Sequence, residues 1–163
     1  MKIPEELSSP VKKALYRLSM GDLTVEEMVS YLSDPHRKNT GFSEEIARRT
    51  ADLLVAEGYL DDKRYFLLYL KKLDQSLFGP RKIRRELVRH RFPSSYIEAA
   101  MNRKIAFEKR ACQLLLRKNQ ASSLAKTPAG RKKLSDWLVR QGYDYSVAAV
   151  AISKISGEDL DSD

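Results

Sequence analysis

Apolar side chains recur every three or four residues along nearly the whole chain, and no stretch alternates with a period of two. This spacing predicts helices that each bury one stripe. Val11, Ala14, Leu15 and Leu18 form the inner face of a helix over 10–20. Thr24-Val25-Glu26-Glu27 reads as a capping box ahead of Met28, Val29 and Leu32. Residues 34–41 form a polar loop. Ser43 caps a helix carrying Ile46, Ala47, Leu53 and Leu54, which stops near Gly58. Asp61 or Asp62 caps the next helix, with Tyr65, Phe66, Tyr69, Leu70 and Leu73 inward. Gly79-Pro80 ends it and opens another, since proline suits the first helical turn. Pro93-Ser94-Ser95 breaks and recaps before Tyr96, Ile97, Ala100 and Met101. A helix is expected over 105–119, a loop over 122–130, a helix from Thr127-Pro128 to Gly142, and a last one over 145–155. The pattern predicts an all-α fold of nine helices.

The nine fall into three sets of three. Offsetting residues 79–101 by 51 brings Gly79 onto Gly130, Ile83 onto Leu134, Leu87 onto Leu138 and Arg89 onto Arg140. Phe92 meets Tyr143, and Met101 meets Ile152. The first third follows more loosely. Met28 and Leu32 take the places of Ile83 and Leu87, and Gly41-Phe42 that of Arg91-Phe92. A period near 50 residues predicts tandem three-helix modules over 1–60, 61–104 and 105–157 in an elongated, curved arrangement, followed by a tail over 158–163.

Charge sharpens this picture. Thirty Lys and Arg stand against 22 Asp and Glu, a formal net of +8. Residues 1–60 hold eight bases and ten acids, residues 61–157 hold 22 bases and eight acids, and the tail holds four acids. An anionic partner is expected: nucleic acid or an acidic protein surface, with a membrane less favoured. The richest stretch is 80–91, where Arg81, Lys82, Arg84, Arg85, Arg89 and Arg91 face a single acid, Glu86. Arg81, Arg85 and Arg89 lie one turn apart, away from the Ile83–Leu87 stripe, and guanidinium forks suit phosphate and carboxylate acceptors. Arg131, Lys132, Lys133 and Arg140 form a second basic set in the third module. These ten are the candidate partner- or DNA-binding residues.

No catalytic set emerges, and no cofactor or metal is expected. His36 and His90 lack a partner at metal-ligand spacing and read as exposed. Asp61-Asp62 reads as a helix cap rather than a metal-binding pair. Gly130-Arg131-Lys132-Lys133 lacks the loop and hydroxyl of a phosphate-binding motif, so a nucleotide hydrolase is not expected. The eight tyrosines read mostly as core packing. Cys112, the one cysteine, reads as a buried inert thiol and fits a reducing compartment. The start of the chain lacks the apolar region of a signal peptide, and the longest apolar run, 147–152, is too short to cross a bilayer. A cytoplasmic location is the expectation.

Two stretches give a more specific reading. Gly58-Tyr59-Leu60-Asp61-Asp62-Lys63-Arg64-Tyr65 and Gly79-Pro80-Arg81-Lys82-Ile83-Arg84-Arg85-Glu86-Leu87 resemble, in order and separation, two signatures of the RecX family of bacterial recombinase regulators. The resemblance implies tandem three-helix modules and a non-enzymatic, monomeric regulator. Its partner would be the RecA–DNA filament, with single- or double-stranded DNA as a further contact. Its effect would be to restrain RecA's ATPase, recombinase and coprotease activities in DNA repair, recombination and the SOS response. The first module departs from the family pattern, with Leu18-Ser19-Met20-Gly21-Asp22 where a basic run is usual. A second reading stays open: a helical protein that binds nucleic acid directly, without a recombinase partner.

Overall fold

The helical periods become ten α-helices, with no strand among the described residues. The computed structural model describes residues 3–37, 40–118 and 120–157. The helices are α1 (Glu5–Leu18), α2 (Val25–Ser33), α3 (Glu44–Ala56), α4 (Asp62–Gln75), α5 (Pro80–Arg89), α6 (Ser94–Met101), α7 (Phe107–Leu116), α8 (Ala121–Ala125), α9 (Pro128–Arg140) and α10 (Tyr145–Ser156). The acidic tail expected over 158–163 lies outside the described residues.

Two expectations need correction. The first helix starts at Glu5, and Pro10 sits inside it. Leu7, Pro10, Val11 and Ala14 are all buried, so the apolar stripe extends one turn further back than Pro10 indicated. Core packing there outweighs the hydrogen bond that proline removes. The segment 122–130 is not all loop, because residues 121–125 form α8, with Ala121 and Ala125 in the core. A five-residue helix is too short for a periodic signal.

The chain gathers into two compact units. The first comprises Met1–Tyr69 with Val88–Tyr96, and the second Leu70–Leu87 with Ile97–Asp163. In the first unit α1, α2 and α3 enclose Ala14, Met28, Val29, Leu32, Ala47, Ala51 and Leu54. Thr24 closes the predicted capping box with Glu27, and Ser43 accepts from the Ile46 amide at 3.3 Å. Helix α3 ends as its sequence predicts. Gly58 takes φ +75°, its N–H donates to Val55, and the Tyr59 N–H donates to Leu54 at 2.8 Å. These are the paired bonds of a Schellman stop.

In the second unit α7, α9 and α10 enclose Leu115, Leu134, Leu138, Tyr143, Ala148 and Ile152. Tyr143 is fully buried and its hydroxyl donates to the Leu77 carbonyl at 2.6 Å. Burial pushes that phenol well above its usual range. Asp74 joins α4 to the following helices. Its carboxylate accepts from Arg103 at 2.5 Å and 3.2 Å and from Arg110 at 3.0 Å. Burial pushes its pKa up, but the two guanidinium groups outweigh burial and hold it below the usual carboxylate range.

Positions equated by the 51-residue offset have matching environments. Ile83, Leu134, Leu87 and Leu138 have no exposed surface, and Phe92 and Tyr143 are both buried. Positions 41, 91 and 142, each followed by an aromatic residue, all have positive φ: +86°, +52° and +94°. Glycine adopts that region freely, whereas Arg91 does so at a cost of about 1–2 kcal/mol.

Candidate interaction surface

Helix α5 follows a close backbone approach in the second unit. The Gly79 N–H donates to the Gln141 carbonyl at 2.9 Å, and the Arg81 N–H donates to the Gly142 carbonyl at 3.1 Å. The start of α5 thus satisfies the end of α9, and the two helix dipoles meet with favourable sign. From this anchor α5 buries Ile83 and Leu87 completely. Arg81, Arg84 and Arg85 lie on its exposed side. Arg81 reaches Asp144 at 2.5 Å.

Lys82 behaves differently from its neighbours. It is half-buried, its Nζ donates to the Gln141 side chain at 2.9 Å, and it lies 3.8 Å from the centre of the Phe78 ring. Burial lowers its pKa, and Arg85 lowers it further. Lys82 therefore fastens α5 to the end of α9. In the same unit Lys132, Lys133 and Arg140 are exposed on α9. Arg131 is half-buried, and its Nε donates to the Ala125 carbonyl at 2.7 Å.

Arg89 and Arg91 belong to the first unit and line a cleft of about 250 Å³ with Arg17 and Arg37. Arg17 and Arg37 do not stand out in the sequence, because residues 1–60 carry a net negative charge. The missed signal lies at position 91, an arginine where the comparable positions 41 and 142 hold glycine.

His90 overturns its expected exposure. Its side chain is 21% exposed, its Nδ1 lies 2.8 Å from Glu27 and 3.2 Å from the Tyr65 hydroxyl, and its carbonyl accepts from Thr24 at 2.8 Å. The carboxylate partner is 63 residues away in the chain. Tyr65, Tyr69, Phe66, Phe92 and Tyr96 pack around this network, with ring centres 5.0–6.1 Å apart. Burial pushes the Tyr65 hydroxyl up to about 12, and Glu27 adds to the effect. Tyr16, Tyr59 and Tyr145 are exposed, while the other five tyrosines are buried or half-buried, as expected for most of them. His36 is exposed as expected, while Cys112 is half-buried and burial pushes its thiol up.

The two sequence signatures have local structural work. Gly58 provides the left-handed stop, Leu60 is buried, and Asp61 accepts from the Arg64 amide at 2.9 Å as cap of α4. Asp62 instead accepts from the Val25 amide at 2.8 Å, at the start of α2. Among the described residues no group of three His, Cys, Asp or Glu side chains could hold a metal ion. No helix among them is long and apolar enough to cross a membrane.

Comparison with known proteins agrees with the two signatures. No family model matches the chain. A regulatory protein RecX from Xanthomonas oryzae pv. oryzae is 32% identical over 108 residues, covering 64% of this chain and 65% of that protein. A regulatory protein RecX from Geobacillus thermodenitrificans is 25% identical over 152 residues, covering 90% of this chain and 54% of that protein. The chain thus spans just under two thirds of the first relative's length. A crystal structure of regulatory protein RecX superposes with a TM-score of 0.66 over 89% of this chain and 70% of its own, at 21% identity, and so shares the fold. Relatives from separate genera, the shared helical fold and the paired signatures at Gly58–Tyr65 and Gly79–Leu87 converge: the chain is similar in sequence and in fold to the regulatory proteins of the RecX family.

Proposed function

We propose that this protein binds the RecA–DNA filament and inhibits RecA's ATPase, recombinase and coprotease activities. The observation that carries the reading is the division of α5, in a chain similar to that family. Ile83 and Leu87 are fully buried, while Arg84 and Arg85 present guanidinium groups outward. Such groups recognise carboxylates on a protein or phosphates on DNA. Lys132, Lys133 and Arg140 supply a second contact set. Arg81 and Lys82, committed to Asp144 and Gln141, hold the helix in place. The protein acts as a cytoplasmic monomer by binding, without catalysis of its own. The matching burial of Ile83 with Leu134 and of Leu87 with Leu138 supports three repeated three-helix modules as its organisation.

The test is RecA's DNA-dependent ATP hydrolysis in the presence of the parental chain and of an Arg84→Ala/Arg85→Ala variant. The parental chain is expected to slow hydrolysis and the variant to do so weakly. Undiminished hydrolysis at saturating parental chain contradicts the reading. Binding to naked DNA as tight as to the filament, with no effect on RecA, would instead favour a nucleic-acid-binding protein without a recombinase partner.

A further inference from the structure

Helix α4 carries two leucines that its packing does not use. Phe66 and Leu70 are buried and Tyr65 and Tyr69 are half-buried, which makes up the inner stripe that the period predicts. Leu67 and Leu68 lie outside that stripe, and each keeps 57% of its surface exposed. A single exposed leucine is ordinary on a protein surface. Two in succession on one helix make a continuous apolar patch, and an exposed apolar patch rimmed by polar groups marks a contact with another molecule.

The charge around the patch is one-sided. Lys63 lies one turn before Leu67 and Arg64 one turn before Leu68, and both cations are exposed. Residues four apart on a helix have Cβ atoms about 5–6 Å apart, so each leucine has a cation as its neighbour along the helix axis. From residue 63 to residue 73 the sequence holds four cations and no acid. The two acids just before them are taken up by backbone. Asp61 accepts from the Arg64 amide at 2.9 Å, and Asp62 accepts from the Val25 amide at 2.8 Å.

We infer that Lys63, Arg64, Leu67 and Leu68 form a docking strip for a partner protein, and that the segment it receives is acidic with apolar side chains among its carboxylates. Carboxylates answer the cations, and the apolar side chains take both leucines out of water. A nucleic-acid backbone would satisfy the cations alone and leave the leucines exposed. A second copy docked through the same face would set cations against cations. A helix that lies on a membrane presents its broad apolar face to lipid, whereas that face of α4, with Phe66 and Leu70, is already in the core. The strip uses none of the α5 arginines, so the inference does not rest on the filament reading.

Fluorescence anisotropy with the full chain tests this on three labelled probes. One is a peptide of Glu-Leu-Leu-Glu repeats, one is the same peptide with every leucine replaced by serine, and one is an oligothymidylate. The parental chain is expected to bind the leucine peptide about tenfold more tightly than the serine peptide. Leu67→Gln/Leu68→Gln should abolish that preference, leave oligothymidylate binding unchanged and melt at the parental temperature, since glutamine is a good helix former and neither leucine is in the core. Lys63→Gln/Arg64→Gln should weaken both peptides and flatten their salt dependence. Arg84→Ala/Arg85→Ala should keep the tenfold preference, so this inference and the filament reading fail separately. Equal parental affinity for the two peptides, no binding of either, or an undiminished preference in Leu67→Gln/Leu68→Gln overturns the inference. If that variant instead loses binding to anionic phospholipid vesicles, or loses a parental dimer seen by light scattering, the patch belongs to a membrane or to a second copy and the inference is likewise overturned.

Discussion

Gly79 and Gly142 touch backbone to backbone, and neither has room for a side chain. A Cβ on Gly79 would overlap the Gly142 carbonyl, and a Cβ on Gly142 would overlap the backbone of Lys82. Gly142 also holds φ +94°. Gly142→Ala is therefore expected to lower stability by about 3 kcal/mol or more, since it adds left-handed strain to a backbone clash. Gly79→Ala should come close to it. Chemical denaturation of the two variants checks this, and a loss below about 1 kcal/mol in either would contradict the packing described.

Asp74 binds Arg103 and Arg110 while partly shielded from water. Asp74→Asn is expected to cost about 2 kcal/mol at neutral pH, because two half-buried guanidinium groups lose their charged partner. The folded-state pKa lies below the unfolded one. Its stabilisation is therefore complete above the ordinary carboxylate value near ~3.9 and is lost as pH falls through the lower folded value. Urea unfolding between pH 2 and 7 should show the parental chain losing more stability below about pH 4 than Asp74→Asn does.

Tyr143 donates to Leu77 from a fully buried position. Tyr143→Phe keeps the ring and strands the carbonyl, so a loss of about 1–2 kcal/mol is expected in thermal denaturation. The same change on exposed Tyr145 should be silent.

Lys82 separates anchoring from recognition within one basic run. Lys82→Met keeps an apolar stem against Phe78 and removes the charge. It should leave the salt dependence of partner binding near parental, whereas Arg84→Ala/Arg85→Ala should flatten it. The slope of log affinity against log salt reads both. An effect of Lys82→Met equal to that of the double variant would return Lys82 to the recognition surface.

Much of the fold was legible because its causes are local. The Thr24–Glu27 capping box, the Ser43 cap and the Gly58 stop each depend on residues a few positions apart, and all three form. The Ile83–Leu87 stripe was legible from period alone. The extent of α1 was not, because Pro10 is a strong local signal for a helix start and only the core at Leu7 outweighs it. Helix α8 was too short to show periodicity. The roles of Lys82 and His90 depend on Gln141, Phe78 and Glu27. Phe78 is only four positions from Lys82, but Gln141 lies 59 residues from Lys82 and Glu27 lies 63 from His90, and no sequence spacing links such partners. The basic cleft was hidden for the same reason, since Arg17 and Arg91 come to line it only in the folded first unit.

The central claim is that the exposed arginines of α5 recognise a RecA filament. Its most direct test is the affinity of the parental chain and of Arg84→Ala/Arg85→Ala for single-stranded DNA alone and for the same DNA coated with RecA. The account predicts that the parental chain prefers the coated DNA, and that the double variant loses about tenfold or more on it while changing little on bare DNA. Equal parental affinity for coated and bare DNA, or an unchanged affinity of the variant for the filament, would contradict it.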